Sequence, residues 1–149
     1  MKLGRIGQQT WTVYAACGDD GSCPLLDFIA SLDTKRGAKV LRDLRVYVPT
    51  SEPADWVRAR FSAALVGSDG IFEFRWPTRG GGTPRVFWFY DEGRVIICSH
   101  GLDKKGAMPQ PELRLAEQVR RAYLAAKADG RLEILELEDL DPHDPRGSI

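Results

Sequence analysis

The feature that most constrains this chain is the run Arg85-Val86-Phe87-Trp88-Phe89-Tyr90, followed at once by Asp91-Glu92-Gly93. Nearly all of the run prefers an extended backbone. Gly93 supplies the positive φ that a tight hairpin turn requires. The span from Arg94 to Ser99 reads as the returning strand, so this region is committed to an antiparallel hairpin. Just upstream, Ile71 to Trp76 sets Ile71, Phe72, Phe74 and Trp76 against Glu73 and Arg75, an alternation that predicts a further strand. Gly67-Ser68-Asp69-Gly70 turns the chain into that strand, and Arg79-Gly80-Gly81-Gly82-Thr83-Pro84 connects it to the hairpin.

The flanks read as helical. After a first strand over Thr10 to Ala15, Ser22 or Cys23 can cap a helix with Pro24 in its first turn and Leu25, Leu26, Phe28, Ile29 and Leu32 at helical spacing. Asp33 or Thr34 caps a second helix from Lys35 to Val48. There Ala38, Leu41, Leu44 and Val48 share one face, Lys35, Arg36, Lys39, Arg42 and Arg45 stay wet, and Pro49 marks the end. Cap-like residues Thr50 to Glu52 restart a short helix through Trp56 and Phe61. Pro109 to about Lys127 forms a last helix with Leu113, Ala116, Val119, Tyr123 and Leu124 inward. The expected fold is α+β: an N-terminal strand and helices packed on a small antiparallel sheet, with a closing C-terminal helix. It occupies residues 1–128 as one domain, with an acidic extension over 129–149.

Charge separates these two parts. The formal net charge of zero hides a tail, from Lys127 onward, with seven acidic and three basic residues, so the body before it is net basic by four. The tail admits three readings: solvated disorder, an added edge strand through Leu132 to Leu137, or a mimic of RNA lying over a basic groove. Cys17 and Cys23 are five residues apart, wider than structural zinc spacing, with no second pair; His100 and His143 stand alone. No metal or cofactor is expected, and Cys98 reads as core. Without an apolar run that could span a bilayer or serve as a leader, a cytoplasmic location with no membrane partner is expected.

Taken in order, Gly70 to Arg75, Pro84 to Tyr90 and Asp91 to Arg94 resemble the central hairpin of HigB-like toxins, a phage-derived branch of the RelE superfamily. Ile97 to Lys105 is similar to that branch's strand and Lys-Lys loop, and Pro109 to Leu124 to its closing helix; the resemblance covers residues 10–126. It implies a toxin of a toxin–antitoxin pair, an endoribonuclease that cuts mRNA on the ribosome. A small antitoxin, of helix-turn-helix type, would hold it inactive. The family's sheet arginines map onto Arg75 and Arg85 and its basic loop onto Lys104 and Lys105.

The residues themselves are compatible with that chemistry. Metal-free cleavage by a 2′-OH needs a base, cations on the phosphorane oxygens and an acid for the leaving oxygen. Arg75 and Arg85 on adjacent strands can share one face, where their guanidinium forks suit phosphate. Equally, they can be solvated sheet charges paired with Glu73. His100, expected at a strand end, can serve as base or acid, or bond a backbone carbonyl; Glu73 as a base is disfavoured because Arg75 should hold its pKa low. Arg79, Arg120 and Arg121 are candidate RNA contacts or plain exposed charges. Trp76, Phe87, Trp88, Phe89 and Tyr90 offer base stacking, with about half of them in the core by alternation, and for Trp88 and Tyr90 core or antitoxin contact is favoured over RNA. A competing function is a phage-encoded, non-catalytic binding module of the same fold that binds RNA, an antitoxin or a host protein. It is favoured by the neutral charge and by the lack of a C-terminal Arg/Tyr pair.

Overall fold

The computed structural model describes residues 1–79, 82–104, 106–107 and 109–137. In chain order these form β1 (Lys2–Gln8), β2 (Thr12–Cys17), α1 (Pro24–Ser31), α2 (Thr34–Arg42), a π-helical turn (Asp43–Tyr47), α3 (Val48–Thr50), α4 (Pro53–Arg58), β3 (Ser62–Ala64), β4 (Phe72–Arg75), β5 (Thr83–Asp91), β6 (Val95–Lys104), α5 (Gln110–Ala128) and β7 (Glu133–Glu136). The fold is α+β, as expected.

The sheet is larger than expected. It has seven strands in the order β3-β4-β5-β6-β2-β1-β7 and is mixed, because β2 runs parallel to β6 and β7 parallel to β1. β1 was not anticipated, since Gly4 and Gly7 dilute its strand propensity. Gly7 answers to close approach of backbone rather than to a turn, and Gly4 faces the flexible Leu137 side chain. A Cβ on Gly7 would lie 2.6 Å from the Arg45 carbonyl oxygen in the π-helical turn, and one on Gly4 would displace the end of Leu137. Of the three readings of the tail, the edge strand is realised over Glu133–Glu136; residues 138–149 lie outside the described ones.

Alternation along the strands sends side chains to two separate cores. Val13, Ala15, Phe74, Val86, Trp88 and Cys98 pack against α1 to α4, whereas Phe87, Phe89 and Ile97 pack against Leu113, Ala116 and Tyr123 of α5. Helices therefore cover both faces of the central hairpin, and Phe87, Trp88 and Phe89 are all buried. Trp88 is in the core, as favoured; Phe87 and Phe89 join it, and Trp76 is buried too, which overturns the expected half-and-half division and removes Phe87 and Phe89 from base stacking, while Tyr90 is exposed. On α5, Leu124 is exposed and Ala126 is buried, so the inward stripe ends differently from the expected one. No described helix is long and apolar enough to cross a membrane.

Local signals explain most boundaries. The Asp33 side chain accepts from the Arg36 amide at 2.9 Å and caps α2. Cys23 occupies the cap position of α1 without a side-chain bond, and Pro24 follows it. Pro49 does not end the second helix as expected. The turn before it widens to π geometry, which accommodates a residue with no N–H, and one helical turn follows before Ser51 becomes extended. Phe61 lies past the end of α4 because Arg60 takes a left-handed φ of 57° and breaks the helix.

Gly101 sets the distance between α1 and the sheet. A Cβ there would overlap the Phe28 ring. Gly101→Ala is expected to destabilise the fold by about 1–3 kcal/mol through overpacking. A denaturant midpoint unchanged from wild type would show that Phe28 moves aside freely.

Candidate functional site

Arg75 and Arg85 are direct cross-strand partners on β4 and β5, so both project from one face of the sheet, the face that α5 covers. Glu73, two residues before Arg75, projects from that face too and lies between them. Its carboxylate is 3.7 Å from an Arg75 guanidinium nitrogen and 3.8 Å from one of Arg85. These separations exceed hydrogen-bonding range, so the ion pairs are loose and the guanidinium donors are not saturated by the carboxylate. Arg85 Nε and Glu73 Oε2 are buried with no hydrogen-bond partner among the described residues.

Glu73 is 4% exposed. Burial pushes its pKa up, and the opposing pull of Arg85 and then Arg75 does not cancel it. The expectation that Arg75 would hold this carboxyl low fails, because Glu73 is far more buried than its spacing in the sequence implied.

The next strand extends the same face. Thr83 pairs with Lys104 and Phe87 with His100, so Arg85, His100 and Lys104 share it. Arg85 also donates to the Gly106 carbonyl at 3.0 Å, tying the strand to the loop beyond β6. Lys105 falls outside the described residues. His100 does not close its strand as expected, since β6 continues to Lys104. Nor does it bond a backbone carbonyl. Its Nδ1 is 2.8 Å from Ser99 Oγ and its Nε2 is 2.7 Å from Glu112 Oε2 in the first turn of α5.

Burial depresses the His100 pKa, with Glu112 opposing. The folded chain therefore binds that proton less readily than the unfolded one. Stability from this group is complete above the ordinary imidazole value of 6.5 and declines as pH falls below it. Thermal melts between pH about 7.5 and 5 should show that decline, and His100→Gln should flatten it. Parallel curves for the two proteins would remove His100 as its source.

The remaining candidates are dispersed. Arg79 is exposed just after β4 and lines a groove of about 1010 Å³ together with Arg75. Arg120 pairs with Asp69 at 3.4 Å, in the turn that leads into β4. That is beyond the far end of β4 from Arg75, a strand that itself spans roughly 10 Å at the usual rise per residue. Arg121 is exposed on α5. Arg75, Arg85, His100 and Lys104 are thus brought to one face, and Arg120 is not. Glu112 was missed, because a contact between a strand and the next helix leaves no periodic signal in sequence.

A family model described as phage-derived protein Gp49-like (DUF891) matches residues 27–121. That span contains every residue of the arginine–glutamate–histidine cluster and leaves out β1, β2 and β7. No curated protein matches the chain.

Proposed function

We propose, because the chain belongs to the phage-derived Gp49-like (DUF891) family and because two arginines meet on one face of its sheet, that it is an endoribonuclease toxin. It cuts message on the ribosome and is silenced by a small helix-turn-helix antitoxin. The observation that carries this reading is the cross-strand pair Arg75–Arg85 flanking a buried carboxylate at Glu73 whose proton affinity is raised by burial.

Arg75 and Arg85 bind the scissile phosphate and stabilise the charge that develops on it. Glu73, its affinity for a proton raised by burial, takes the proton of the ribose 2′-OH as the oxygen attacks the adjacent phosphorus. The new O2′–P bond forms, the P–O5′ bond breaks, and the leaving oxygen takes a proton from the Lys104 ammonium. The products are a 2′,3′-cyclic phosphate and a free 5′-hydroxyl. His100, with both ring nitrogens engaged, is a positioning residue that anchors Glu112 and the start of α5 beside the arginines.

The non-catalytic binding module is favoured by one specific observation: Glu73 and His100 are both nearly sealed from solvent. Inducing the chain in bacteria separates the two. The nuclease halts growth and leaves message fragments ending in cyclic phosphate. The binding module leaves ribosome-bound message intact, and healthy growth with abundant folded protein would overturn the nuclease reading.

A further inference from the structure

The chain carries a second concave surface, separate from the α5-covered face. It lies between α2 and the β3–β4 edge and encloses about 1010 Å³, the size of a small-ligand site at the upper end of the ordinary range. Its rim carries Lys35, Arg36, Lys39, Arg60, Arg75 and Arg79, against two carboxylates, Asp33 and Asp43, among the described residues. Both carboxylates are already engaged. Asp33 caps α2 and pairs with Arg36 at 2.6 Å. Asp43 accepts from Trp76 Nε1 at 2.8 Å and pairs with Lys39 at 3.2 Å. Arg36 is further held by Asp103 at 2.9 Å. Lys35, Arg60 and Arg79 make no ion pair among the described residues, so the groove keeps a surplus of uncommitted positive charge.

The floor is aromatic. Tyr47 and Phe61 stand edge to face at 5.5 Å, and Phe61 and Trp76 at 5.0 Å. A charged rim over an aromatic floor suits a ligand with one flat apolar part and several negative charges, which is the chemistry of a nucleotide. An acidic peptide would satisfy the rim and leave the floor unused. One contact ties this surface to the first. Arg75 Nε donates to the Arg60 carbonyl at 3.3 Å, so the arginine shared by Glu73 and the groove is fixed in orientation. Arg60 itself takes a left-handed φ of 57° as the residue that closes α4, with its N–H bonded to the Val57 carbonyl.

We propose that this groove is a second nucleotide-binding subsite, which takes a base and its neighbouring phosphates from single-stranded RNA whose adjoining phosphate lies on Arg75. The subsite deepens the function proposed above and shares its assumption that RNA is the ligand, but it does not require that the strand be cut.

The test uses the full chain and a labelled 2′-O-methyl oligonucleotide, which binds but cannot be cleaved, followed by fluorescence anisotropy. Replacing Arg60 and Arg79 together with alanine should weaken binding about tenfold or more. It should also flatten the dependence of log affinity on log salt by roughly 0.7 for each cation removed. An abasic strand of equal length should bind as weakly to the wild type as the intact strand does to the double variant. Wild-type affinity in a folded double variant would overturn the subsite. So would equal binding of the abasic strand, or displacement of RNA by oligoglutamate as readily as by unlabelled RNA. Wild type that binds through the groove and cuts nothing on the ribosome refutes the nuclease alone. Wild type that cuts, with a double variant that binds normally, refutes the subsite alone.

Discussion

Arg85→Ala is expected to lower the rate of ribosomal message cleavage by about 10²–10³-fold, the usual loss when one preorganised partner of a developing oxyanion is removed. Arg85 is the less exposed of the two arginines, at 16% against 37% for Arg75, so its charge acts with less screening by water. Its removal also leaves Glu73 beside one guanidinium instead of two, which raises that carboxyl's proton affinity further. The pH dependence of any residual cleavage should therefore shift upward. Arg85→Lys separates charge from geometry: it keeps the cation and loses the planar fork, so a large part of the defect should persist. Growth arrest on induction should be relieved by Arg85→Ala at equal protein level. Cleavage at the wild-type rate in a folded Arg85→Ala protein would end the case for a phosphorane-stabilising pair. Thermal melts of both variants distinguish lost chemistry from lost fold.

Trp56→Ala is expected to cost about 3–5 kcal/mol of stability, enough to unfold a marginal domain at physiological temperature. Trp56 has no exposed surface. Its ring meets Trp11 at 5.8 Å, Phe74 at 5.5 Å and Trp88 at 5.9 Å, all edge to face. Its indole N–H donates to Ser51 Oγ at 2.7 Å. Alanine loses the apolar burial, opens a cavity among three large rings and removes the bond that the Ser51 hydroxyl accepts, although that hydroxyl still donates to the Tyr47 carbonyl. Trp56→Phe refills most of the volume and gives up only the hydrogen bond, so it should recover more than half of the loss. A denaturant series shows the difference. An alanine variant within about 1 kcal/mol of wild type would mean that the aromatic cluster collapses around the gap.

Much of the architecture was legible along the chain because its signals are local. The turn at Asp91-Glu92-Gly93, the capping carboxylate at Asp33 and the proline in the first turn of α1 act within a few residues. Alternation in β4 also placed Glu73 and Arg75 on one face, since period two is a property of the strand itself.

Other elements depend on partners far along the chain. β1 and its parallel neighbour β7 are joined by register between residues more than a hundred positions apart, and Gly7, required where the Arg45 backbone comes close, looked like a break in a strand. The burial of Phe87, Trp88 and Phe89 followed from helices on both faces; the unbroken apolar run from Val86 to Phe89 is the local trace of that double cover, and an alternating division of the rings does not fit it.

The site divides in the same way. The amino-acid order alone determined which residues carry charge, where the hairpin turns and that Arg75 and Arg85 belong to neighbouring strands. Tertiary structure decided the register that sets those arginines opposite each other, the depth that raises the Glu73 carboxyl, and the meeting of His100 with Glu112 across 12 residues. The physical reason is range: turns, caps and alternation are settled by neighbours in the chain, whereas electrostatic environment and burial are settled by whatever the fold brings alongside.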